Sequence, residues 1–259
     1  MADWIDTHAH LDDEQFQADR AEVIRRANQA GVTTLIAVGI TAASSERCVE
    51  LAREYPGVLA TVGVHPNHAA EAAAGDWERI LALAVRPGVT GIGETGLDRY
   101  WSFTPFEIQK EWFARHLELG RRLDRAVVIH CRDAELDMLV MLREEYDRHG
   151  PIRGVMHSFC GSSELATACL EMGLYLSFSG QLTRKNAAPL RTLVANLPRD
   201  RLLVETDCPY LTPQPLKGGR NEPANMLHTA RTLAEVLGME LDALAVQTSD
   251  NARRLFGIA

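Results

Sequence analysis

Ala126-Val127-Val128-Ile129-His130-Cys131-Arg132 is a short apolar run that stops at an imidazole, a thiol and a guanidinium. An apolar run of this length with no polar alternation fits a strand buried on both faces. The same form recurs along the chain at Trp4–His8, Val32–Val38, Val58–Val64, Val89–Ile92, Arg153–Met156, Leu174–Phe178 and Leu202–Glu205. Between these runs lie helical patterns over 13–30, 43–54, 76–85, 104–122, 134–148, 162–172, 185–196 and 223–237, and a last one over 241–255. Strands buried on both faces and separated by helices imply a parallel sheet covered by helices. Eight such units in 259 residues predict an α/β protein with a (β/α)8 TIM-barrel fold, for which about 250 residues is typical. An open doubly wound sheet is the alternative. No Gly- or Ser-rich linker interrupts the pattern, so a single domain over residues 1–259 is expected.

Polar chemistry gathers at the C-terminal ends of these runs. The first ends in His8-Ala9-His10, the third in His65-Pro66 and the fourth in Gly93-Glu94-Thr95-Gly96-Leu97-Asp98. The fifth ends in His130-Cys131-Arg132, the sixth in His157-Ser158-Phe159 and the eighth in Glu205-Thr206-Asp207-Cys208-Pro209. In parallel barrels these ends carry the active site. Strand alternation points His8 and His10 the same way, and pairs Glu205 with Asp207 and His130 with Arg132 on shared faces. Four imidazoles and two carboxylates exceed what one tetrahedral ion takes, so two divalent ions are expected on His8, His10, Glu94, His130, His157 and Asp207. Such donors suit zinc or manganese and also admit magnesium. His116, His149 and His228 fall on helical patterns and are read as structural.

A net charge of −8 argues against a protein that coats nucleic acid through many phosphate contacts. It leaves room for an enzyme that grips one strand end, where bound metals supply positive charge locally. Of the 27 basic residues only Lys110, Lys185 and Lys217 are lysines. The five cysteines lack CxxC spacing and are read as free thiols, with Cys131, Cys160 and Cys208 packing beside the site. The first residues lead directly into Trp4-Ile5-Asp6-Thr7-His8 without a basic and apolar leader. No stretch approaches the ~18 apolar residues of a membrane span, so a cytoplasmic monomer with no membrane contact is expected.

Ile5-Asp6-Thr7-His8-Ala9-His10-Leu11-Asp12 resembles the opening of the TatD family of metal-dependent deoxyribonucleases, and Gly91-Ile92-Gly93-Glu94-Thr95-Gly96-Leu97-Asp98 resembles its second block. His130-Cys131-Arg132, His157-Ser158-Phe159, Glu205 to Leu211 and Arg220-Asn221-Glu222-Pro223 match further blocks in the same order, and the likeness runs on to Asn251–Phe256. The resemblance implies an amidohydrolase-like barrel with one or two divalent metals and phosphodiesterase activity on DNA, commonly from the 3′ end. By position, His8, His10, Glu94 and Asp207 would surround one metal. Glu94 would bridge to a second, held also by His130 and His157, and His65 would lie near the substrate phosphate. Related two-metal hydrolases often bridge their ions with a carboxylated lysine, but none of the three lysines ends a strand, which leaves Glu94 for that task. Thr95 stands where the family often has an aliphatic residue and Arg99 where an aromatic is frequent.

The expected activity is metal-activated water attack on the phosphodiester at the 3′ end of single-stranded or frayed DNA. Asp207 is expected to act as base, with His65 and Arg132 stabilising the charged transition state. Glu205 is expected to accept a hydrogen bond from a ligand imidazole. Arg220, Asn221 and Glu222 either contact substrate or brace the loop after the last strand, and Arg99, Arg132 and Arg220 are the arginines available to phosphates. Trp101, Phe103 and Phe106 follow the Glu94 run and are read as core, with stacking of bases as the alternative. The alternative activity is hydrolysis of an ester or amide, aminoacyl-tRNA esters included, since a fold does not fix its substrate. A non-catalytic metal-binding protein is the reading of another class.

Overall fold

A computed structural model describes residues 3–216 and 218–258, so Lys217 lies outside the described residues. Eight strands form one sheet in chain order: β1 (Trp4–Ala9), β2 (Val32–Val38), β3 (Val58–Val62), β4 (Val89–Asp98), β5 (Ala126–Arg132), β6 (Gly154–Met156), β7 (Tyr175–Phe178) and β8 (Leu202–Val204). The helices that alternate with them are α1 (Arg20–Gln29), α2 (Ala42–Glu54), α3 (Asp76–Ala84), α4 (Phe106–Leu123), α5 (Glu135–His149), α6 (Ser163–Glu171), α7 (Ala188–Val194) and α8 (Met226–Leu237), followed by α9 (Leu241–Phe256). This is the topology of a (β/α)8 barrel, as the alternation of apolar runs and helical patterns predicts. Every residue of β1 and of β4 is buried, which is why neither strand could afford a solvent-facing polar row. No helix among the described residues is long and apolar enough to cross a membrane.

The chain falls into two compact units, one of residues 1–37, 158–160 and 176–259, the other of residues 38–157 and 161–175. In the first, β1 pairs with β2 and β7 with β8, all parallel. The segment after β8 bonds back to the end of β1: Asp207 N–H donates to the His8 carbonyl at 2.9 Å, and His10 N–H to the Cys208 carbonyl at 2.8 Å. Buried Asp6 braces the same join, accepting from Thr206 N (3.0 Å), Thr206 Oγ1 (2.6 Å) and His8 N (3.3 Å). Burial nevertheless pushes its carboxyl up to about 7. From α9, the buried Asn251 amide donates to the Arg199 and Leu202 carbonyls at 2.9 and 2.8 Å and holds the entry to β8.

In the second unit β3, β4, β5 and β6 pair in parallel. Here β4 outruns its sequence expectation. The apolar run stops at Ile92, but the strand continues to Asp98 and pairs with β5 as far as Asp98 opposite Arg132. Two glycines permit this. Gly93 (φ 124°) and Gly96 (φ 141°) adopt backbone angles costly to other residues, and a Cβ on Gly96 would run into the His130 carbonyl. The close approach of β4 to β5 at Gly96 therefore sets where His130 sits.

Three helical patterns hold shorter α-helices than their periodicity suggested, 223–237 among them, where a 3-10 turn over Pro223–Asn225 precedes α8. The first opens with a 3-10 turn over Glu14–Phe16 before α1, and the 185–196 segment is a 3-10 turn (Lys185–Ala187) leading into α7. Pro189 lies in the first turn of α7, where its missing N–H costs nothing. Lys110 lies within α4 and Lys185 in the 3-10 turn, so neither ends a strand.

Replacing Gly96 by Ala is expected to lower the unfolding free energy by about 2–4 kcal/mol, combining overpacking against β5 with backbone strain. Gly75, also at positive φ but with open space around it, should lose only about 1 kcal/mol on the same change. Urea denaturation of the two variants decides this; equal losses would mean that the β4–β5 contact carries no special constraint.

Candidate metal-binding groups

His8 lies in β1 and His10 just beyond it, and their rings converge as alternation requires. His8 Nε2 and His10 Nε2 are 3.3 Å apart, and Asp207 Oδ1 lies 3.5 Å from the first and 3.3 Å from the second. All three residues are buried. Asp207 reaches them from a left-handed backbone (φ 57°), a conformation that Asp tolerates better than most residues. It is pinned there by its N–H bond to His8 and by the Tyr210 N–H, which donates to its carbonyl at 2.9 Å. Four donors at about 2.0–2.1 Å around a tetrahedral ion stand about 3.3 Å apart, so this triangle has the edge length of one tetrahedral face.

The second unit holds another such triangle. Glu94 comes from β4, His130 from β5, and His157 directly follows β6. Glu94 Oε1 lies 3.0 Å from His130 Nδ1 and 2.9 Å from His157 Nε2, and the two nitrogens are 3.2 Å apart. Neighbouring donors at about 2.1 Å around an octahedral ion are about 3.0 Å apart, so these edges also suit a cation.

Asp98 decides the tautomer of His130. His130 Nε2 lies 3.1 Å from Asp98 Oδ2, so it carries the proton and leaves the Nδ1 lone pair facing Glu94 and His157. Asp98 Oδ1 accepts from the backbone N–H of Tyr100 (2.8 Å) and Trp101 (3.0 Å), and Asn67 Nδ2 donates to Oδ2 at 3.0 Å. Burial opposes ionisation, yet the bonds from His130 and Trp101 outweigh it and hold the Asp98 carboxyl down at about 2. The sequence reading assigned Asp98 no role. The available signal was alternation: Glu94, Gly96 and Asp98 stand at i, i+2 and i+4 on one strand and share a face.

His65 also approaches Glu94 Oε1, at 3.4 Å. Its Nδ1, however, accepts the Asn67 backbone N–H at 3.1 Å, and burial pushes its pKa down to about 4. In the neutral ring Nε2 then carries the hydrogen and has no lone pair for a metal. His65 is placed as a hydrogen-bond donor beside the group, not as a ligand.

The remaining candidates spread out, except Glu205, whose carboxylate lies within 4.8 Å of a His8 ring nitrogen. Glu205 is buried and accepts from the backbone N–H of Ser158 at 2.6 Å. The Arg132 guanidinium lies 3.7 Å over the Tyr100 ring. Arg99 pairs with Asp137 at 2.8 and 3.0 Å and covers the Phe106 ring. Arg220 grips Asp19 at 2.8 and 2.7 Å, and Glu222 binds Arg26, with its shortest contact at 2.6 Å. Buried Asn221 donates to the Thr206 and Tyr210 carbonyls at 3.1 and 2.7 Å. These contacts put Arg220, Asn221 and Glu222 to work bracing the loop. Thr95 is buried within β4. Cys208 is buried, with its thiol pushed up by that burial, but Cys160 is exposed and so does not pack beside the site. Trp101 and Phe103 are exposed where core was expected. His116 is buried in α4; its Nδ1 faces the Trp112 carbonyl at 2.6 Å and its Nε2 accepts the Val64 N–H at 3.0 Å. Its reading as structural agrees with these bonds.

The family model described as TatD related DNase matches residues 5–257. An uncharacterized metal-dependent hydrolase, YabD of Bacillus subtilis, is 41% identical over 254 residues, covering 98% of this chain and 99% of its own. The 3'-5' ssDNA/RNA exonuclease TatD of Citrobacter rodentium is 37% identical over 260 residues, 98% of each chain. Among solved structures, the Escherichia coli TatD homologue YjjV superposes with a TM-score of 0.92 at 28% identity over 99% of this chain and 98% of that one.

Two measurements check these assignments. Glu94→Gln should lose bound metal outright, while Asp98→Asn, which keeps every donor but no longer fixes the His130 tautomer, should weaken metal binding about 10–100-fold. Titration calorimetry with manganese separates them, and wild-type affinity in Asp98→Asn would remove Asp98 from the site. His116 predicts a pH effect. Its buried ring has a pKa of about 4 against an ordinary 6.5, so the unfolded chain takes up a proton that the fold refuses. Stability from this group is complete above pH 6.5 and is lost as pH falls toward 4. Chemical denaturation of wild type and His116→Gln across that window should show the flatter profile in the variant; parallel profiles would refute it.

Proposed function

The chain belongs to the TatD-related DNase family and is a metal-dependent hydrolase, and from that premise we propose that it removes nucleotides from the 3′ end of single-stranded or frayed DNA. The observation that carries this reading is the pair of donor triangles, His8–His10–Asp207 and Glu94–His130–His157, each with the edge lengths of a divalent-ion site. We assign one ion to each, magnesium, manganese or zinc. When bound, such ions lower the pKa of water from about 16 to about 7 and neutralise charge on phosphoryl oxygens.

The residues of the chain do the rest. Asp207 orients the attacking water and accepts its proton. His65 presents Nε2–H, and its depressed pKa keeps it neutral near pH 7, so it donates a hydrogen bond to a phosphoryl oxygen without needing to be charged. Arg132 is exposed and has no carboxylate partner among the described residues, which leaves its charge available for a phosphate. Relatives named 3'-5' ssDNA/RNA exonuclease, at 36–37% identity over 98% of this chain, support the substrate class. The net charge of −8 supports attack on an end over a long phosphate-binding track.

The test uses a linear single strand labelled at either end, a circular single strand and a carboxyl ester, each with manganese or magnesium. Stepwise shortening from the 3′ end, with the circle intact and all activity abolished by chelator and restored by metal, is the expected result. Cutting of the circle at a similar rate would make the protein an endonuclease. Ester hydrolysis without any strand cleavage would establish the other activity.

A further inference from the structure

The loop between β4 and α4 turns three large aromatic side chains outward: Tyr100, Trp101 and Phe103 are 53%, 44% and 63% exposed. Phe103 stacks on Trp101, with ring centroids 5.2 Å apart and planes 15° from parallel, and Tyr100 stands edge-on to Trp101 at 4.8 Å. The Arg132 guanidinium covers the Tyr100 ring and lies 5.8 Å from that of Trp101. Three adjacent exposed aromatics are a contiguous apolar patch of the kind that marks an interaction site. The loop is also anchored. Asp98 Oδ1 holds the backbone N–H groups of Tyr100 and Trp101, while Asp98 Oδ2 meets His130 of the second donor triangle. One carboxylate thus ties the aromatic loop to a metal-binding group.

Building on the nuclease reading above, we infer that Tyr100, Trp101, Phe103 and Arg132 form a stacking platform for the bases of a single-stranded nucleic acid held at the site. The rings take base faces and Arg132 takes an adjacent phosphate. Charge selects this occupant. The neighbouring Arg99 is neutralised by Asp137, whereas Arg132 has no carboxylate partner among the described residues, so an aromatic surface carries one uncompensated cation in a protein of net charge −8. Aromatic faces beside a guanidinium that no described carboxylate pairs match the alternation of base and phosphate along a single strand. Every base has a π-face, so the platform tolerates any sequence. Bases locked in a duplex do not offer their faces, which ties the platform to unpaired strands.

The test compares wild type, the Trp101→Ala/Phe103→Ala double variant and Trp101→Phe as full-length proteins with manganese. Two substrates are used: a single strand of about 20 nucleotides and bis(p-nitrophenyl) phosphate, which is too small to span site and platform. Stacking of one or two bases corresponds to a roughly 10- to 100-fold rise in KM for the strand in the double variant, with kcat within about threefold. The small diester should be hydrolysed as by wild type, and Trp101→Phe should stay within about threefold on the strand because a ring remains. A KM on the strand within about threefold of wild type in the double variant, alongside wild-type cleavage of that strand, overturns the platform alone. Equal losses on both substrates also overturn it, by making the rings structural. A wild type that hydrolyses the diester but neither binds nor cleaves the strand overturns the platform and the nuclease reading together.

Discussion

Lone pairs that converge on one point repel, and that constraint governs the chemistry of this protein. In Glu94–His130–His157 a carboxylate oxygen and two imidazole nitrogens crowd within 3.2 Å of one another. As a neutral ring, His130 cannot relieve the crowding by turning its proton toward Glu94 without giving up its bond to Asp98. Buried polar atoms left in this state are costly, and a cation is the partner that satisfies all three donors at once. The group in the first unit meets the same difficulty with His8, His10 and Asp207. Folding holds these groups together at a cost that a bound cation would offset. With metal present, tighter binding should therefore mean a more stable fold.

The burden of holding the donors falls on backbone as much as on side chains. Asp207 takes a left-handed conformation while its N–H is fastened to His8, so one candidate ligand fixes the position of another. Gly96 does the equivalent for His130 by letting β4 come close to β5. Asp98 then converts position into chemistry by choosing which imidazole nitrogen faces inward. A side chain of the right type in the right place would still fail as a ligand with the wrong tautomer. His65 shows this within the same group: it lies near Glu94, but the Asn67 N–H has taken its only lone pair.

Strand order and the six polar residues that gather into the two groups were legible because each is a local pattern. An unbroken apolar run such as Val127-Val128-Ile129 means burial on both faces wherever it occurs, and a polar residue at its end must have a reason to be there. What escaped depends on contacts distant in sequence. Asp98 needs His130 and Asn67, 32 and 31 residues away, before it means anything. Arg220 and Glu222 looked equally suited to substrate and to bracing until Asp19 and Arg26 were found against them. The strand end at Ile92 was misplaced because glycines usually break strands, whereas here they let a strand continue past a crowded neighbour.

Trp101 and Phe103 are exposed, against the first of their two readings, the core, and the physical reason is informative. Large aromatics default to the core because hydration of their faces is unfavourable. A loop that holds them in water must be fixed by something stronger than that penalty. Here it is the Asp98 carboxylate, ionised by its contacts and bonded to the two N–H groups at the root of the loop. The same oxygen pair serves His130 on its other side. Loss of the carboxylate would disturb donor geometry and aromatic display in one step, so the two features are mechanically one device. Coupling through a single buried charged group requires no moving part: it is a static consequence of where Asp98 lies on β4, four residues beyond Glu94 on the same face of the strand.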